Sequence, residues 1–169
     1  MIIEYRNTIP AQVCSDIIKE IKKSNERFLV KHSDFLLPFV KGPLIEHMKK
    51  LGFESSINLI SQCLAFESSE LIEDHIDSCD KITPEGLPYI RPFSFFVHLN
   101  TVPEGGELIF SNKTIIKPVI GKMVVFPPDL VHRVTKSIAP RYLIRSEIIL
   151  WQIYNEMDSY SLVILQTQV

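Results

Sequence analysis

The sequence predicts a mostly-β fold, two sheets of jelly-roll type with helices at the N-terminal end. Three observations carry that reading. From residue 56 the apolar period changes from helical spacing to short runs. Gly, Pro and Asn turns separate those runs. Residues 121–147, GKMVVFPPDLVHRVTKSIAPRYLIRSE, read as two strands joined by a Pro-Pro-Asp turn and followed by a third.

Taken in order, residues 1–7 fit a short edge strand. Thr8-Ile9-Pro10 then opens a helix, because proline is tolerated in a first turn. Val13, Ile17, Ile18 and Ile21 give an apolar stripe at helical spacing, with Lys19, Glu20, Lys22 and Lys23 on the other face. Residues 25–42 read as irregular, punctuated by Pro38 and Gly42. A second helix fits Pro43 to Leu51, ended by Gly52. His32 and His47 fall in these parts and read as surface or structurally satisfied imidazoles.

Residues 57 to 66 read as a buried strand. Ser78 to Tyr89, with Pro84, Gly86 and Pro88, shows no apolar period. It reads equally as a cover over a substrate and as a connector. Short strands follow at Phe93 to Leu99, Glu107 to Phe110, Thr114 to Val119 and Lys122 to Phe126. Beyond Pro127-Pro128-Asp129 the pattern resumes at Val131 to Thr135 and at Arg141 to Trp151. Ser161 to Gln166 fits a last strand at a sheet edge.

Chemistry concentrates in two places. In Glu73-Asp74-His75-Ile76-Asp77, His75 and Asp77 are two residues apart, so extended backbone sends both side chains to one face. His132, fifty-seven residues on, completes a two-His-one-carboxylate set. Such a set binds one face of Fe(II) and leaves positions open for a co-substrate and dioxygen. Arg141 follows His132 by nine residues, a permanently charged fork that suits a carboxylate. A lone His-x-Asp is weak; the ordered set is far more specific.

Arg91 to Asn100 (RPFSFFVHLN), Gly105-Gly106-Glu107-Leu108, Gly121, Phe126, His132, Val134 and Arg141 stand in the order found in prolyl-4-hydroxylase-like enzymes. The chain resembles that family over residues 55 to 152. The resemblance implies one domain with a cupin-like double-stranded β-helix. Residues 1–54 would be helical support, 55–152 the core and 153–169 a terminal strand or tail. It implies an Fe(II)- and 2-oxoglutarate-dependent oxygenase with His75, Asp77 and His132 on the metal and Arg141 on the distal carboxylate of 2-oxoglutarate. Dioxygen is then the second co-substrate, with ascorbate as an optional reductant. The implied reaction hydroxylates a C–H bond of an amino-acid, prolyl-peptide or small-metabolite substrate, releasing succinate and CO2.

The chain also departs from the family pattern. His98 stands where similar enzymes often carry a Tyr that donates to 2-oxoglutarate. Imidazole donates too, with an expected pH dependence near neutrality. Phe66 stands where a Tyr is common. Arg145, four residues past Arg141, lies on the same strand face and has three readings. It shares the co-substrate carboxylate, holds an anionic group of the substrate, or is a solvated strand-end charge. Arg91 matches a position that faces substrate in similar enzymes, and equally fits an exposed charge at a strand start. Gly105-Gly106 reads as turn chemistry that allows positive φ and close approach of a strand.

Composition limits the rest. Of 169 residues, 46% are hydrophobic and 22% charged, ordinary for a soluble globule with a substantial core. A net charge of −2 with isolated Lys-Lys pairs argues against nucleic acid as partner. Cys14, Cys63 and Cys79 show no CxxC spacing and read as reduced thiols of a cytoplasmic protein. No secretory layout or membrane-length apolar run is present. Two other classes are a cupin-like metal enzyme without 2-oxoglutarate and an inactive β-barrel binding module. Arg141 argues against the first, and the complete ligand set against the second. Oligomeric state is unreadable from the sequence.

Overall fold

The computed structural model describes residues 1–24, 28–30, 37–50, 64–77, 80–82, 88–152 and 162–163. Along them run β1 (Ile3–Tyr5), α1 (Ala11–Ser24), β2 (Phe28–Val30), α2 (Leu37–Lys50), β3 (Leu64–Ser68), β4 (Ile72–His75) and β5 (Asp80–Ile82). Then come β6 (Pro88–His98), β7 (Leu108–Phe110), β8 (Ile115–Ile116), β9 (Met123–Phe126), β10 (His132–Val134), β11 (Arg141–Gln152) and β12 (Leu162–Val163). The larger sheet has the order β1-β9-β6-β11-β3-β2, with β5 beside β6 and β12 beside β11. The smaller sheet is β4-β10-β7-β8. This is the two-sheet, mostly-β architecture that the alternating short strands predict.

The period of two sorts the side chains of the larger sheet into two cores. Phe93, Phe95 and Val97 of β6, Met123 and Val125 of β9, and Tyr142 and Ile144 of β11 face the helices. There they meet Cys14, Ile17 and Ile21 of α1 and Val40, Leu44 and Met48 of α2. The alternate residues face the smaller sheet: Phe96, Val124, Phe126 and Leu143 pack with Leu108, Phe110, Ile116 and Val134. His98, Arg141 and Arg145 share that inward parity. The site is thus built on the face that the helices do not cover.

α1 begins as its sequence suggests, with the Pro10 carbonyl accepting the Cys14 N–H at 3.0 Å. Lys22 and Lys23 in its last turn complement the helix dipole. α2 differs from expectation. It starts at Leu37, not Pro43, and carries Pro43 inside it. Val40, Leu44 and Met48 recur every fourth residue and are wholly buried. Burying that stripe outweighs the one backbone bond that proline removes. The expected stop at Gly52 and His32 both lie outside the described residues, as do Cys63 and Cys79.

Two other stretches that read as irregular contain strand. β2 pairs with β3, opposing Phe28 to Phe66 and Val30 to Leu64. β5 pairs with the start of β6, opposing Asp80 to Ile90 and Ile82 to Pro88. Both are edge additions held by backbone pairing, so neither needs the apolar alternation that reveals a half-buried strand. β3 runs on to Ser68; residues 57–63, where the strand was expected to begin, lie outside the described residues. β8 is only two residues long.

His47 belongs to the core, its ring edge-on to Phe93 with centroids 5.0 Å apart. Burial, helped by the positive charges of the amino terminus and Lys50, depresses its pKa to about 4. An exposed imidazole in the unfolded chain takes up its proton near 6.5, before the folded one does. The stability linked to His47 is therefore complete above pH 6.5 and is lost as pH falls from there toward 4. The loss is at most about 1.4 kcal/mol per pH unit. Urea melts at pH 7 and pH 5 should show a smaller acid penalty in His47→Leu than in wild type.

Candidate functional site

Three potential metal ligands come together although they lie on two strands and a loop. β10 pairs antiparallel with β4, placing His132 directly opposite His75. Their ring centroids are 4.2 Å apart. Asp77 follows just past the end of β4, with inward parity shared with His75. The ligand atoms of His75, Asp77 and His132 lie within 4.8 Å of one another. His75 Nε2 is 3.9 Å from Asp77 Oδ1.

Both imidazoles are oriented by the same local device. His75 Nδ1 sits 2.8 Å from the Glu73 carbonyl, and His132 Nδ1 sits 2.9 Å from the Leu130 carbonyl. A carbonyl only accepts, so each Nδ1 carries a proton. His132 is fully buried, and its Nε2 has no hydrogen-bond partner among the described residues. A buried nitrogen left bare costs about 1–3 kcal/mol unless something else occupies it. Burial also holds the His132 pKa below the usual imidazole value, which keeps the ring neutral and able to ligate. Phe126, Phe110 and Phe96 wall it in, at centroid distances of 4.9, 5.7 and 6.5 Å. This donor set, two imidazoles and one carboxylate, fits Fe(II).

On the inner side of the larger sheet lie Arg141 and His98, both only 3% exposed. β6 and β11 oppose His98 to Leu143, so Arg141 and Arg145, two residues to either side of Leu143, are both diagonal to His98 on the inner face. Among the described residues neither ring nitrogen of His98 has a hydrogen-bond partner, nor does Arg141 Nε. The Arg141 Nη2 makes only a long 3.5 Å contact with the Glu70 carbonyl. Burial, with the Arg141 and Lys122 charges beside it, pushes the His98 pKa down to about 3. The titration near neutral pH expected for His98 therefore does not occur; the ring stays neutral and retains one N–H to donate. A buried guanidinium beside an unsatisfied neutral imidazole is what a small dicarboxylate would need at its far end.

A family model described as 2OG-Fe(II) oxygenase superfamily matches residues 61–151, more than half of the chain. The chain belongs to the 2OG-Fe(II) oxygenase superfamily. Membership implies Fe(II), 2-oxoglutarate and dioxygen. Solved structures of similar fold include a viral collagen prolyl hydroxylase from Paramecium Bursaria Chlorella virus-1 in its 2OG complex. It has a TM-score of 0.65 at 16% identity over 88% of this chain and 95% of that one. A Pseudomonas putida prolyl-4-hydroxylase gives 0.61 at 15%, over 86% and 84%. A Trichoplax adhaerens prolyl hydroxylase, solved with a hypoxia inducible factor oxygen degradation domain peptide fragment, gives 0.63 at 16%, over 86% and 82%. At such identities these likenesses speak to the fold. No curated protein matches by sequence.

Within this superfamily scaffold, two residues quoted above only as motif letters hold Arg141 in place. Asn100 spans the entry to β11, donating to the Pro140 carbonyl at 2.9 Å and accepting the Tyr142 N–H at 2.8 Å. Gly106 is buried at φ 75°, and a Cβ there would overlap Arg141 Cδ and press on Cγ at 3.1 Å. Gly105 bridges to Ser137, and the Glu107 N–H donates to Thr135 Oγ1 at 2.9 Å. The Gly-Gly-Glu segment is thus a strap across the β10–β11 connection, with the arginine stem lying on Gly106. Sequence signals both residues only as a turn pair and an Asn before a strand.

Arg145 does not stand at a solvated strand end. Its Nη2 donates to Asp77 Oδ1 at 2.7 Å. Arg91 lies on β6, and its side chain is outside what the structure describes. Among the described residues no helix is long and apolar enough to cross a membrane. Adding a side chain at Gly106 must move the Arg141 stem or the strap. Gly106→Ala should lower unfolding free energy by about 1–3 kcal/mol in urea titrations. An unchanged midpoint would mean that the strap yields freely.

Proposed function

We propose that this chain is a 2-oxoglutarate-dependent dioxygenase that hydroxylates a C–H bond, with a prolyl peptide as the first substrate class to test. The carrying observation is the pairing of two sets of polar groups on the inner sides of the two sheets. On the smaller sheet, His132 Nε2 has no partner among the described residues and lies beside His75 and Asp77; on the larger, Arg141 Nε and both His98 nitrogens have none among them. One set suits a divalent metal and the other a carboxylate. A molecule with a keto-acid head and a carboxylate tail would bridge them.

In this reading His75, Asp77 and His132 hold the iron, and Arg141 grips the distal carboxylate of 2-oxoglutarate while His98 donates a second hydrogen bond. Bound iron with 2-oxoglutarate and dioxygen supplies the oxidative chemistry, releasing succinate and CO2 as one oxygen atom enters the substrate. The protein's part is orientation and dryness. Glu73 and Leu130 carbonyls aim the two imidazoles, and Phe96, Phe110 and Phe126 exclude water around His132. Ascorbate would serve only to keep the metal reduced. The prolyl-peptide choice draws on the fold shared with prolyl hydroxylases, one of them solved with a peptide. Free amino acids and other small metabolites are the competing classes.

Succinate release with Fe(II), 2-oxoglutarate, ascorbate and a panel of prolyl peptides, amino acids and metabolites tests the proposal. Asp77→Ala should abolish turnover. Arg141→Ala loses a buried, hydrogen-bonded charge partner at about 2–5 kcal/mol, so the 2-oxoglutarate requirement should rise well over tenfold. Arg141→Lys keeps the charge without the fork and should fall between. Because His98 is already neutral, 2-oxoglutarate affinity should show no break between about pH 6 and 8 from this residue. Turnover that ignores 2-oxoglutarate would overturn the proposal.

A further inference from the structure

The three proposed ligands differ in how they are held. His75 and His132 are each steered by a carbonyl two residues upstream, at 2.8 and 2.9 Å. Asp77 sits beyond the last residue of β4, where the β4–β10 ladder has ended. Its carboxylate is nevertheless only 1% exposed. The group that orients it comes from the other sheet: Arg145 Nη2, 2.7 Å from Oδ1, the same oxygen that lies 3.9 Å from His75 Nε2.

We infer that Arg145 is a positioning residue for the metal, fixing the Asp77 carboxylate so that it delivers one oxygen toward the two imidazoles. The inference rests on the reading that His75, Asp77 and His132 hold the metal, and it replaces the co-substrate and substrate roles open to Arg145 from sequence. Strand geometry favours it. Arg141 and Arg145 are four residues apart on extended backbone, about 13 Å along the strand. The Arg141 charge bears on His98, while Arg145 stands opposite Phe96 and its fork reaches Asp77. β11 thus carries two arginines of one inward parity with separate tasks, one at each end of the site. Groups that orient metal ligands commonly govern affinity by ten- to a hundredfold.

Co(II) binding by isothermal titration, with its visible bands as a second readout, tests this without turnover. Arg145→Gln should bind Co(II) about ten- to a hundredfold more weakly than wild type, with Arg145→Lys recovering part of the loss. Arg145→Met, which keeps the volume of the stem, is read in the same way if the Gln variant does not fold. A purely structural ion pair would lower the melting temperature of metal-free protein but leave Co(II) affinity unchanged, and that result overturns the inference. Tighter Co(II) binding in the variants would overturn it too, showing the guanidinium to be a competitor of the metal. Asp77→Ala separates the two claims. If it binds Co(II) as well as wild type, the ligand assignment fails; if only the Arg145 variants are silent, the inference alone fails.

Discussion

The site depends on one cross-strand pair. Because β10 lies antiparallel to β4 with His132 opposite His75, two imidazoles far apart in sequence meet with their rings 4.2 Å apart. A slip of one residue would turn either ring to the outer face. What prevents the slip is apolar: Val134 and Phe110 on either side of the same register are buried between the sheets, and Phe126 closes over His132 from the larger one. The inner core that specifies the pairing is also the wall that keeps water from it.

That core tolerates an unusual load of polar groups. His98, Arg141 and His132 are almost wholly buried, and each leaves at least one nitrogen without a hydrogen bond. Folded proteins seldom leave such groups bare, since each costs about 1–3 kcal/mol. The cluster is better understood as a binding site whose partners arrive later than as a stabilising network. The outer core against α1 and α2 is mostly apolar, with the aromatic-packed His47 in it, and can carry the stability that the inner face gives up.

Much of this was legible from residue order. The switch from helical to strand period announced the two sheets, and the inward parity of His75 and Asp77 followed from extended backbone. The α2 boundary was misread because Pro38, Gly42 and Pro43 outweighed the buried Val40–Leu44–Met48 stripe in a local reading. β2 and β5 escaped notice because each is only three residues long, too short to show an alternation. The pH behaviour of His98 was misjudged because sequence cannot show burial beside a guanidinium. Gly106 under Arg141, Asn100 across the entry to β11, and Arg145 on Asp77 all depend on contacts between elements distant in sequence. Nothing in the local pattern reports them.

The central claim is that the space between the two sheets holds both a metal and the keto-acid that chelates it. Anaerobic addition of Fe(II) and then 2-oxoglutarate to the metal-free protein, followed by visible absorption, tests that claim before any substrate is known. A charge-transfer band that appears only with both present, and is missing in Asp77→Ala, is the predicted result. Folded protein that binds Fe(II) yet gives no band at saturating 2-oxoglutarate would contradict it.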